Sequence, residues 1–236
     1  MQMLAAGFLL VIVIGGILLW LPVCNQEPIA FTDALFTSTS AVCVTGLMTV
    51  VPAAQFTLLG KVVLLVLIQI GGLGVVAVST FFLVVIGRKI TVKERVMIQE
   101  TYNMESLSGM VKWILRILKG TFVVEGIGAI FFAFQFIPEY GFLKGIWYSV
   151  FHSISAFCNA GIDILGADSF AAYARNPLIN LTTMILIVAG GIGYTVWFDI
   201  TDNIRNFRKK GERRRGMFKI LTLNSKVCLL YTSPSP

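Results

Sequence analysis

Four stretches of this chain run long enough to cross a lipid bilayer with almost no charge, and this limits its fold more than any other feature. Leu4–Leu21, Val62–Ile86 and Leu178–Phe198 contain no charged residue, and Gly120–Ile137 contains only Glu125. The hydrocarbon core of a bilayer is about 30 Å thick and takes about 20 apolar residues in a helix. Inside it no water satisfies backbone N–H and C=O groups, so spanning segments pair their own backbone as helices. With 56% hydrophobic and 13% charged residues, the 236-residue chain has too little charge to cover a soluble surface. The expected class is an all-α membrane protein.

The first stretch lacks the basic flank and the small-x-small site of a secretory leader, so it reads as a retained span. Cys24 in Leu-Pro-Val-Cys has Val23 where a lipoprotein acceptor site wants a small residue. The four cysteines, Cys24, Cys43, Cys158 and Cys228, form no CxxC pair. His152 is the only histidine. One histidine and scattered acids assemble no hydrolase or metal constellation, which argues against an enzyme.

A net charge of +7 and a pI near 9.4 would suit nucleic acid if the basic residues formed one face. They follow the spans instead. Arg88, Lys89, Lys93, Arg95 and Lys112 come after the second stretch. Arg205, Arg208, Lys209, Lys210, Arg213, Arg214, Arg215 and Lys219 come after the fourth. Loops rich in Lys and Arg stay cytoplasmic. The predicted topology has both termini inside, with segments 22–60 and 138–177 outside; no nucleic-acid partner is expected, and membrane lipids are.

The chain also repeats itself. Ser38-Thr-Ser-Ala-Val-Cys-Val-Thr-Gly-Leu47 aligns without gaps to Ser153-Ile-Ser-Ala-Phe-Cys-Asn-Ala-Gly-Ile162, identical at Ser38/Ser153, Ser40/Ser155, Ala41/Ala156, Cys43/Cys158 and Gly46/Gly161. Gly71-Gly72-Leu73-Gly74 similarly matches Gly190-Gly191-Ile192-Gly193. Each copy reads span, short apolar helix, glycine-containing extended segment, span. Both copies start and return inside, so they are parallel repeats about an axis along the membrane normal. The first repeat covers 1–112, with spans 4–21 and 62–86, a pore helix 31–42, a filter segment 43–46 and a cytoplasmic linker 87–112. The second covers 113–219, with spans 113–137 and 178–203, a pore helix 146–157, a filter segment 158–161 and a basic loop 204–219. Residues 220–236 read as the start of a truncated third repeat or a foreign tail.

A dozen apolar residues are too few to cross, and irregular backbone at membrane depth is tolerated only where it is buried in protein or lines a wet cavity. A cation leaving water needs replacement oxygens, which main-chain carbonyls can supply. The candidates are Cys43, Val44, Thr45 and Gly46, and Cys158, Asn159, Ala160 and Gly161. Glycine reaches positive φ without a Cβ penalty, which lets its carbonyl turn toward an axis. Each short helix ends at its segment and puts the partial negative end of its dipole there. The glycines after these segments read as close-packing positions. His152, matched to Thr37, reads as a packed or hydrogen-bonded residue. Glu125 is costly inside a span, so it faces protein or water, as a pore acid or in a pair with a neighbouring helix.

At these residues the chain resembles the Trk/Ktr/HKT superfamily of potassium transporters, most closely the KtrB-like membrane subunit. Ser-Ala-Val-Cys-Val-Thr-Gly-Leu and His-Ser-Ile-Ser-Ala-Phe-Cys-Asn-Ala-Gly-Ile are similar to its first and second filter segments, and the resemblance runs from about residue 4 to about 220. It implies potassium uptake across a plasma membrane, K+ held by filter backbone, four repeats around one pore and one glycine per filter. It also implies a homodimer with a cytoplasmic nucleotide-binding regulatory ring (KtrA/TrkA-like), possible Na+ coupling and a bacterial source. Two repeats alone do not close a four-sided filter, and the gating loop and pore arginine of later repeats are absent here. A non-conducting scaffold subunit is therefore the alternative. A tandem two-span channel ranks below it, because neither copy holds Thr-Val-Gly-Tyr-Gly.

Overall fold

The computed structural model describes residues 2–74, 77–78, 110–193, 196–201 and 225. They are mostly helical, with seven helices and two 3-10 turns between residues 2 and 191 and further helix at 196–201, and among them the one β-pairing is an isolated bridge between Asn25 and Phe56. Helix α1 is Gln2–Trp20, α2 Phe31–Cys43, α3 the single turn Pro52–Gln55, and α4 Leu58–Leu73. Helix α5 is Met110–Tyr140, α6 Phe142–Phe157 and α7 Pro177–Gly191. The chain divides into two compact units, Met1–Ile187 and Val188–Pro236.

Local chemistry sets the helix ends. The Thr57 hydroxyl accepts the Gly60 N–H at 3.3 Å and caps α4. Asn176 Oδ1 accepts from Leu178 at 3.0 Å and Ile179 at 3.3 Å, with Pro177 opening α7 where no donor is needed. Gly141, at φ +81°, turns the chain between α5 and α6. Pro138 stands in the last turn of α5, where few bonds remain for it to break.

In the first unit, α1 packs on α2 and α4, and α5 packs on α6. The core holds Leu19, Ala34, Ala41, Leu64, Ile68, Ile117, Phe132, Phe136 and Phe151. The outward faces are also apolar: Leu9, Leu10, Phe122, Phe134, Leu181 and Ile185 are each more than half exposed. Exposed apolar area costs about 25 cal/mol per Å² in water and close to nothing in lipid. Trp113–Tyr140 is long and apolar enough to cross a membrane, whereas Ala5–Trp20, Leu58–Leu73 and Pro177–Gly191 are shorter apolar helices.

Several expected boundaries move. The short helix expected over 146–157 begins at Phe142, and that over 31–42 runs through Cys43. The spans expected over 62–86 and 178–203 are not continuous helices. The first breaks at Gly74, φ +85°, and the second at Gly193, φ +86°, with helix again at residues 196–201. A glycine at positive φ cannot continue a right-handed helix, and the two breaks fall on matched positions of the repeat. The segments read as extended form no strand among the described residues. Residues 79–109, 202–224 and 226–236, which hold most of the linker, the basic loop and the tail, lie outside the described residues.

Candidate ion-handling site

The two glycine-containing segments have the same backbone trace. Helix α2 ends in a left-handed Val44, φ +57°, followed by Gly46 at +73°; α6 is followed by Asn159 at +59° and Gly161 at +66°. The Thr45 N–H donates to the Ser40 carbonyl at 3.0 Å, and the matched Ala160 N–H donates to the Ser155 carbonyl at 2.8 Å. The helix ends thus close by the same bond, from a donor two residues past Cys43 in one case and three past Phe157 in the other. The hydroxyl of the same serine braces each segment differently: Ser40 Oγ meets Thr45 Oγ1 at 2.9 Å, while Ser155 donates to the Ile162 carbonyl at 2.5 Å.

The segments also meet each other. A Cβ placed on Gly46 would stand 2.7 Å from the carbonyl oxygen of Ala160 and 3.7 Å from Gly161 Cα; one on Gly161 would stand 3.9 Å from Gly46 Cα. Neither position has room and conformation for a side chain together. Among the described residues the carbonyl oxygens of Thr45, Gly46, Ala160 and Gly161 accept no hydrogen bond. Of the four residues Ala160 is buried, Gly46 is half-buried, and Thr45 and Gly161 are exposed. Cys43 is exposed as the last residue of α2, whereas Cys158 and Ala160 are buried.

A second matched set holds the short helices in place. Ser38 Oγ donates to the Ile12 carbonyl of α1 at 2.8 Å, and Ser153 Oγ to the Glu125 carbonyl of α5 at 2.6 Å. One turn further on, a Cβ on Gly15 would meet Ser38 Oγ at 2.5 Å and Leu67 at 2.7 Å. A Cβ on Gly128 would meet Ser153 Oγ at 2.5 Å and Leu186 at 2.7 Å. Glycine, serine and leucine from three helices, α1, α2 and α4 in one copy and α5, α6 and α7 in the other, therefore form the same contact twice. Sequence reading missed the two glycines. Gly15 and Gly128 are offset by two residues from the register of the aligned segments, so an ungapped comparison passes over them.

Of the later glycines, Gly71 and Gly72 pack closely, whereas a Cβ on Gly193 would meet nothing within 4 Å. Gly71 lies against the Val42 carbonyl and Gly72 against the Cys158 side chain, so α4 touches both segments through its backbone. His152 Nδ1 lies 2.7 Å from the Tyr148 carbonyl and carries the proton, leaving Nε2 toward the Ile164 N–H at 3.5 Å. Phe136, Phe151 and Phe170 surround its ring. Beside Gly161, a cavity of about 180 Å³ is lined by His152, Ser155, Asn159, Asp163 and Phe170 among others. Further out, Tyr140 and Tyr173 share a hydrogen bond at 2.9 Å. Burial, and then that bond, push the Tyr173 phenol above its ordinary range, which keeps it neutral. Among the described residues no three His, Cys, Asp or Glu side chains gather to hold a metal.

A family of cation transport proteins, TrkH, matches residues 1–230. The chain belongs to this family. It is 42% identical over 234 residues to the potassium/sodium uptake protein NtpJ of Enterococcus hirae, covering 98% of this chain and 49% of that protein. It is 38% identical over 231 residues to the Ktr system potassium uptake protein B of Bacillus subtilis, covering 98% and 49%. For the protein of the same name in Vibrio alginolyticus the identity is 36% over 231 residues, covering 98% and 48%. The chain thus spans about half the length of the curated relatives it matches. The family is one of cation transport proteins, and the apolar helices of this chain suit a membrane.

Proposed function

We propose that this chain supplies half of a potassium-uptake path and does not conduct by itself. In this reading residues 1–112 and 113–219 are two parallel repeats of span, pore helix, filter segment and span, in a multi-pass plasma-membrane protein with cytoplasmic termini. Carbonyls of Cys43–Gly46 and Cys158–Gly161 replace part of the hydration shell of K+. Two segments offer oxygens from one side only, so the scaffold awaits two more. The reading rests above all on one observation, the twin segments with equal backbone geometry whose glycines face each other and whose carbonyls are free.

A desolvated cation requires oxygens on all sides, and half a ring leaves much of that cost unmet. The names of the relatives add the substrate: a potassium/sodium uptake protein and two Ktr potassium uptake proteins. By the same resemblance the complete assembly is a dimer governed by a cytoplasmic nucleotide-binding ring, with Na+ as a coupled or competing ion. The test is growth and K+ uptake in cells lacking their own uptake systems. This chain alone is expected to give no rescue, and a version extended to the length of its relatives is expected to restore uptake. Rescue by the short chain overturns the half-path reading; failure of the extended one overturns the potassium reading.

A further inference from the structure

Outside the twin segments, one buried polar pair has unmet hydrogen bonds. Glu125 lies within α5 and is 4% exposed. Gln69 of α4 donates from Nε2 to Glu125 Oε1 at 3.0 Å. The other two polar atoms of the pair, Glu125 Oε2 and Gln69 Oε1, are both buried and both without a partner.

The missing bonds have one sign. An ionised carboxylate only accepts, and so does an amide oxygen, so two bare acceptors cannot satisfy each other. An isolated buried carboxylate is also far more costly than a buried neutral acid. The groups packed around Glu125 offer no compensation. From α6 comes the Ser153 hydroxyl, spent on the Glu125 main-chain carbonyl. From α5 comes Thr121, four residues earlier and so on the same face, a neutral hydroxyl. From α4 comes Gln69 alone. Among the described residues no cation pairs with the carboxyl.

One hydrogen completes the set. We infer that Glu125 and Gln69 form a proton-binding site: Glu125 is a neutral carboxylic acid whose Oε2–H donates to Gln69 Oε1 while Gln69 Nε2–H donates to Oε1. The two planar groups then share a pair of antiparallel hydrogen bonds, which fixes α4 against α5 without placing a charge behind α6. The ligand is the proton itself, not the transported ion. This inference does not depend on the proposed function, because it concerns the protonation of a buried pair and not conduction.

The experiment is infrared spectroscopy of the purified chain in lipid at neutral pH, with thermal melting of variants. Wild type should show a protonated carboxyl C=O band that disappears in Glu125→Gln. In melting, Glu125→Gln should match wild type, since its amide donates and accepts in the same places; Glu125→Ala and Gln69→Leu should melt lower. An ionised Glu125 in the spectrum, as a bound water or metal cation would leave it, overturns the inference. So does a Glu125→Gln variant as unstable as Glu125→Ala.

Discussion

Gly46 and Gly161 share one constraint and differ in a second. Each has a left-handed backbone, which costs an L-residue about 1–2 kcal/mol; a Cβ on Gly46 would also meet the Ala160 carbonyl oxygen at 2.7 Å, whereas one on Gly161 would make only ordinary contact at 3.9 Å. The positive φ values of Val44 and Asn159 show that the chain accepts such strain even without glycine, so these segments are held in shape by their surroundings. Their anchors are Ser38 and Ser153, whose hydroxyls bond carbonyls of α1 and α5 respectively. Replacing either by alanine removes one buried bond worth about 1 kcal/mol. We expect Ser38→Ala and Ser153→Ala to lower the melting temperature by similar amounts, since the two sites repeat one contact. Melting in detergent checks this, and a loss at only one site would count against equivalence.

At the scale of elements, glycines separate into those packed against a neighbour and those facing outward. Gly15 and Gly128 have no room for a Cβ, whereas Gly120 has no heavy atom within 4 Å. Over-packing a tight contact costs about 1–3 kcal/mol. An interior helix glycine replaced by alanine gains roughly 0.5–1 kcal/mol where space allows. Gly15→Val and Gly128→Val are thus expected to destabilise, and Gly120→Ala to stabilise slightly; chemical denaturation of the three variants reads all of it. Much of this layer was legible in sequence. Uncharged runs placed the helices, and the shared Ser, Cys and Gly positions placed the twin segments. The breaks at Gly74 and Gly193 were not legible, because isolated glycines in an apolar run signal packing as readily as a turn. The pairing of Gln69 with Glu125 was half legible: the acid had to find a partner, but a contact between residues 56 apart leaves no local pattern.

For the whole molecule, the proposed ion path needs oxygens on every side of a cation. Two segments share similar torsions and the same closing bond, and their glycines meet; in the proposed reading they form one side of an ion path. The apolar outer faces suit lipid, and the long apolar helix sets the depth. The most direct measurement is the K+ over Na+ uptake ratio of the full-length protein carrying Gly46→Ser or Gly161→Ser, with Gly120→Ser as the control. A side chain at either facing glycine should shift the carbonyls and cut the ratio about tenfold, the equivalent of about 1.4 kcal/mol, while the control keeps it. An unchanged ratio in both facing-glycine variants would contradict the assignment of these segments to the ion path.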